Sequence, residues 1–121
     1  MARLMEMIYT GEAVSPAASE EMLRVLQRPY WDDEALSQVP PSIEVASKNG
    51  AVSASKSEVL LVHAPSGPYL FCVITADQAD TRWEADNSGY ELIRAVSSLL
   101  WNAFEPGMPH ERATRYDAHS I

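Results

Sequence analysis

Cysteine is nearly absent from this sequence: Cys72 stands alone among 121 residues, so no intrachain disulfide can form. Its place in the apolar run "YLFCVITA" predicts a buried, inert side chain and not a reactive thiol. Long hydrophobic runs are missing too. No stretch approaches the ~18 apolar residues of a membrane span, and no signal-peptide core or cleavage site is read in "MARLMEMIYTG". Positive charge is scarce, with nine Lys and Arg against 17 Asp and Glu and a formal net charge of −8. That balance repels phosphate backbones, and no basic cluster with interleaved aromatics offsets it, so neither nucleic acid nor membrane is an expected partner. Low-complexity tracts and internal repeats are also lacking. What remains, 46% hydrophobic and 21% charged, is ordinary globular composition. A chain of this length folds as one domain and buries roughly 65% of its unfolded surface.

The N-terminal third is helical in pattern. Leu4 with Ile8 and Met1 with Met5 recur four apart, and Gly11 sits where a helix ends. No capping residue precedes that helix, which reads as a segment cut from a longer element. A second helix starts with Ser15 as N-cap and Pro16 in the first turn. It carries Met22, Leu23, Val25 and Leu26 as its apolar side and ends near Gln27, before Pro29. "YWDDEALSQVPP" holds one short helical turn before Pro40-Pro41 forces extension.

Beyond Pro41 the pattern changes to strands. Residues 42–48, 56–64 and 69–76 predict an antiparallel meander separated by small-residue and Pro-Ser-Gly-Pro turns. The second and third are apolar on both faces and should be covered on both sides. The polar stretch "ADQADTRWEADN", with Asp80, Glu84 and Asp86, reads as a solvated loop. Ser88 and Glu91 then form a capping box for a helix with Leu92, Val96, Leu99, Leu100 and Ala103 as its apolar stripe. Residues 107–121 lose periodicity and read as a disordered tail. The fold class is therefore α/β in the α+β sense: N-terminal helices (1–41), then a three-stranded antiparallel sheet plus C-terminal helix (42–106).

Two candidate sites share the stretch "KNGAVSASK". Ser53 and Lys56 match S-x-x-K, in which a lysine activates a serine nucleophile from the same helical face. In a strand or turn, side chains three apart point to opposite sides, so the match is read as accidental. Lys48-Asn49-Gly50, also compatible with a plain hairpin turn, gains meaning from its surroundings. It ends a strand, precedes Ala51, and is followed at meander spacing by two doubly buried strands and an amphipathic helix.

In that context residues 1–106 resemble the C-terminal part of class A β-lactamases and related penicillin-recognising serine hydrolases. "MARLMEMIYTGEAVSPAASEEMLRVLQ" is similar to the two helices after the family's omega loop. "VPPSIEVASKNGAV" is similar to the approach to its Lys-Thr-Gly or Lys-Ser-Gly strand, "SEVLLVHAPSGPYLFCVITA" to the next two strands, and "NSGYELIRAVSSLLWNAF" to the closing helix.

The resemblance implies roles. Lys48 would attract a substrate carboxylate, Gly50 would allow close approach, and the Ala51 N–H would be one of two oxyanion donors. Asn49 replaces the usual hydroxyl residue. Either Ser57 or Lys56 stands near the family's carboxylate-assisting arginine. The family's nucleophilic serine and its lysine, the Ser-Asp-Asn element and the omega-loop acid have no counterpart here, so the chain alone is expected to be inactive. The incomplete fold should leave the strand at 69–76 with a bare edge that recruits the N-terminal half of the enzyme or a second copy. Family members are mostly periplasmic or secreted.

The rival readings are a non-catalytic binding or assembly module on the same scaffold, and an unrelated α/β domain using Ser53. No metal or cofactor is expected. His63 reads as a hydrogen-bonded core or interface residue, His110, Glu111 and His119 as tail residues, and Trp31 and Trp101 as packing or cleft aromatics.

Overall fold

The computed structural model describes residues 1–27 and 34–110. The expectations for Trp31, Glu111, His119 and most of the tail fall outside that range. Helices α1 (Ala2–Thr10), α2 (Pro16–Leu26) and α3 (Glu34–Ser37) precede strands β1 (Val45–Val52), β2 (Ser55–Val62) and β3 (Tyr69–Ile74), and α4 (Ser88–Phe104) closes the order. The strands form one antiparallel sheet in sequence order, as the meander predicts. No helix among the described residues is long and apolar enough to cross a membrane.

Local chemistry accounts for the helix ends. Gly11 takes the left-handed conformation (φ 82°), which costs a residue without Cβ nothing, and its N–H caps α1 through the Ile8 carbonyl. The Ser15 hydroxyl accepts the Ala18 N–H at 3.1 Å, and Pro16 opens α2. Within α1 the buried pair is Met5 and Ile8, while Leu4 and Met1 are exposed.

The sheet is packed on both faces. On one lie α1 and α2, where Met5, Leu23 and Leu26 share a cluster with Ala46, Val59, Leu61, Leu70 and Cys72. These helices therefore form one layer against the sheet. On the other lie α3 and α4, where Leu36, Val39, Ile93 and Trp101 meet Val45, Leu60 and Val62. β2 is buried on both faces as expected, but β3 is only half-buried along its length, and Cys72 with it. The difference follows from position: β2 is central, while β3 is the sheet margin.

Two further expectations are corrected. β1 runs through Lys48-Asn49-Gly50 to Val52, and only Ser53 and Ala54 make the turn, because the pairing from Lys48↔Val59 to Val52↔Ser55 continues although the side chains are no longer apolar. In α4 the N-cap is Asn87, whose side-chain oxygen accepts the Gly89 N–H at 2.8 Å, not Ser88. Its buried line is Gly89, Ile93, Ser97 and Trp101, each four residues on from the last. The stripe expected inward is largely exposed: Leu92 and Ala103 are exposed, Val96 and Leu100 are half-buried, and Leu99 is 70% exposed. Ser97 is tolerated inside because its hydroxyl donates to the Ala35 carbonyl at 2.7 Å, and Trp101 because its indole N–H donates to the Met108 carbonyl at 2.9 Å.

Candidate functional site

The direction of each backbone group along β1 follows from one hydrogen bond. The His63 N–H donates to the Glu44 carbonyl at 3.0 Å, which makes Glu44–His63 a hydrogen-bonded pair just before the first ladder pair, Val45↔Val62. In an antiparallel ladder such pairs alternate with non-bonded ones. Ala46, Lys48, Gly50 and Val52 therefore turn their N–H and C=O groups to β2, whereas Ser47, Asn49 and Ala51 turn theirs to the outer edge. A bridge from Gln27 covers that edge at Ala46. From Lys48 onward the residues of the edge are exposed, and by the same alternation the Ala51 N–H turns outward from the sheet.

Side chains alternate by face. Lys48, Gly50, Ser57, Val59, Cys72 and Ile74 share the α1/α2 face and line a cleft of about 270 Å³ with Met1 at its end. The Lys48 ammonium is exposed and donates to the Asn49 carbonyl at 2.9 Å. Gly50 sits so close to Ser57 that a Cβ there would lie 3.0 Å from the Ser57 hydroxyl oxygen, which itself donates to the Gly50 carbonyl at 3.3 Å. Of the five expected site residues, Lys48, Asn49, Gly50 and Ser57 line this cleft, and Ala51 follows Gly50 with its backbone turned to the outer edge. Asn49 alternates to the other face of β1, yet it lines the cleft at the strand edge, where its side-chain oxygen lies 3.5 Å from the Lys48 ammonium.

Between the two arginine-like candidates the geometry discriminates. Ser57 opens into the cleft, while Lys56 lies on the other face and is fully buried. Its ammonium meets the backbone carbonyl of Ser53 at 3.0 Å and that of Val52. The S-x-x-K match has no helix under it, and the lysine binds the Ser53 carbonyl as a turn contact.

Sequence reasoning passed over Glu58, opposite Asn49 on the α3/α4 face and buried to 3% exposure. Its carboxylate accepts the Ala35 N–H at 2.9 Å and the Ser47 hydroxyl at 2.7 Å, tying β2 to α3 and β1. Burial raises its pKa to about 7 despite those hydrogen bonds, with a smaller upward push from Glu34. The available signal was a carboxylate opening the apolar run "EVLLV". On the polar loop, Asp80 is more than a solvated charge. The Arg82 side chain and the Ser88 N–H hold its carboxyl well below the usual range. His63 is half-buried with its ring 5.7 Å from that of Tyr9, and no hydrogen-bond partner meets its Nε2.

The profile of the Beta-lactamase enzyme family matches residues 1–104. Among solved structures, PBP-A superposes with a TM-score of 0.72 at 25% identity, over 87% of this chain and 38% of its own. A β-lactamase from Sphaerobacter thermophilus DSM 20745 gives 0.72 at 21% identity, over 89% and 40%. A class A β-lactamase from Mycobacterium abscessus gives 0.69 at 17%, over 85% and 39%. No curated protein matches the chain. The chain thus spans about two-fifths of the length of these structures, and its α+β fold is the corresponding incomplete part of theirs. With the profile running from Met1, just before α1, to Phe104, the last residue of α4, the chain belongs to the beta-lactamase enzyme family.

Proposed function

We propose that this chain supplies the C-terminal part of a β-lactamase-like serine hydrolase, which transfers and hydrolyses the acyl group of a β-lactam or a related amide or ester. The single observation that carries this reading is the open edge of β1, where the Ala51 N–H faces outward beside the Lys48 cleft. In this role the Lys48 ammonium attracts a substrate carboxylate, Gly50 lets the substrate approach the backbone, Ser57 lines the pocket, and Ala51 offers one oxyanion donor. The attacking serine resides on the N-terminal portion of the enzyme, because Ser53 lies in a turn whose lysine is committed to carbonyls. A variant of PBP-A has been captured as an acyl-enzyme complex with penicillin G, which supports the choice of a penicillin as probe.

The same reading names a partner for two bare surfaces. At the outer margin of β3, Leu70, Cys72 and Ile74 direct their backbone groups away from β2, by the alternation that starts from Thr75 N–H donating to the Lys56 carbonyl. On α4, Leu92 and Leu99 are exposed on one face, and exposed Phe104 at its end meets Tyr69 of β3 at 4.8 Å between ring centroids. An N-terminal portion that adds a strand to β3 and a helix to α4 buries both. One observation favours the rival binding module: Asn49 lacks the hydroxyl that the family places there.

The test mixes the chain with the polypeptide encoded upstream of Met1 and measures acylation by a fluorescent penicillin. Acylation should need both pieces and fall roughly ten- to a hundredfold in Lys48→Ala, the loss of a charge-assisted hydrogen bond. Labelling of the chain alone would overturn the proposal, as would full labelling in Lys48→Ala. A homodimer of this chain that excludes the upstream piece would transfer the β3 margin to self-association.

A further inference from the structure

The turn between β1 and β2 is only Ser53-Ala54, and neither residue adopts the positive φ by which two-residue turns match the twist of their strands. Something other than turn chemistry must hold it. Lys56 runs back beneath the turn, and its ammonium donates to the Val52 and Ser53 carbonyls, the latter at 3.0 Å. The ammonium also lies 4.3 Å from the centroid of the Trp83 ring and 5.4 Å from that of Tyr90. An ammonium removed from water is costly unless its donors find partners, and two carbonyls and two ring faces supply them.

The platform beneath is itself braced. The Asn87 amide donates to the Asp80 and Arg82 carbonyls, and Gln78 donates to the Asn87 side-chain oxygen at 3.0 Å. Gly89 leaves room for the lysine stem, since a Cβ there would lie 2.8 Å from Lys56 Cγ.

We propose that Lys56 is a positioning residue for the cleft: by gripping the Val52 and Ser53 carbonyls it sets the direction of the open edge from Lys48 to Ala51. This rests on the reading of that edge as substrate-binding. The residue gripped, Val52, directly follows the Ala51 donor, and a donor misplaced by about 1 Å loses much of its catalytic value. Lys56 thus spends its charge on the backbone, and Lys48 is the cation that faces the cleft among the described residues.

Nuclear magnetic resonance on the full chain tests this without any catalytic step. The Lys56 ammonium should give a resolved, slowly exchanging signal with its ε-protons shifted upfield by Trp83, while the Lys48 ammonium exchanges too fast to observe. Lys56→Met should speed amide exchange at Gly50 and Val52 roughly ten- to a hundredfold, the loss of two charge-assisted bonds, and leave Ala46 and Leu61 unchanged. Trp83→Leu should give a smaller change at the same two amides. Equal acceleration at all four amides would overturn the proposal, reducing Lys56 to a contributor to global stability. So would a Lys56 ammonium that exchanges like that of Lys48. If Lys56→Met does not fold, the wild-type ammonium signal and Trp83→Leu decide. Because acylation plays no part in these readouts, a gripped turn in an inactive reassembled enzyme sinks the hydrolase reading and leaves this one standing.

Discussion

Glu58→Gln removes a carboxyl that the fold holds 3% exposed, with a pKa raised from 4.5 to about 7 mainly by burial. Its sign is that of an acid raised on folding. The folded state binds the proton more tightly than the unfolded chain, so the contribution is fully present below 4.5 and is lost as pH rises through about 7. One pKa unit corresponds to about 1.4 kcal/mol, so this single group withdraws roughly 2–3 kcal/mol of stability between pH 5 and pH 8. The substituted glutamine side chain has the same shape. Its carbonyl can still accept the Ala35 N–H, and its amide can donate to the Ser47 hydroxyl, so both links to α3 and β1 persist without a titration. Urea unfolding followed by tryptophan fluorescence at pH 5, 6, 7 and 8 measures the effect. The wild-type chain should lose roughly 2–3 kcal/mol more than Glu58→Gln over that range, and the variant should be the more stable of the two at pH 8. Parallel pH profiles would refute the reasoning, because they would mean that the Ala35 and Ser47 hydrogen bonds offset the burial and keep the carboxyl in its ordinary range.

Other perturbations test the remaining contacts. Gly89→Ala drives a Cβ into the Gln78 side-chain oxygen and to 2.8 Å from Lys56 Cγ, and should cost about 1–3 kcal/mol in urea unfolding. Trp101→Ala empties the centre of the α3/α4 layer and should cost about 3–5 kcal/mol in the same assay. Ile74→Lys at the β3 margin should leave the melting of the isolated chain unchanged, since Ile74 is already exposed, but abolish co-elution with the upstream polypeptide on size exclusion. Asn49→Thr restores the hydroxyl of the family motif and should raise penicillin acylation of the reassembled enzyme, read as kcat/KM, with no change in stability.

Helix starts and stops were legible because capping is local chemistry. Ser15, Pro16 and Gly11 act on backbone groups within four residues, and each performs in the fold the role its type and spacing announce. The order of the three strands was legible for a similar reason: short turns leave consecutive strands little choice but to pair. Lys48, Asn49, Gly50, Ala51 and Ser57 were named by resemblance, and in the ladder Gly50 pairs with Ser57 beside Lys48. Illegible were the features set by what lies across the sheet. Apolar periodicity in α4 pointed to Leu92, Val96 and Leu99, but the face turned inward carries Ser97 and Trp101, whose polar atoms find partners on α3 and in the segment after α4.

Composition and local spacing by themselves determined a single α+β chain, the caps of its first two helices and its meander, because these depend on neighbours within a few residues; the family entered through resemblance along the chain. Only the tertiary structure decided which side of the sheet each charge faces. A strand alternates strictly, so adjacent residues Lys56 and Ser57 receive opposite fates, one buried beneath a turn and one opening into the cleft. Their register is set by the hydrogen bonds of β1 and β3 on either side, and no window of sequence around the two residues contains that information.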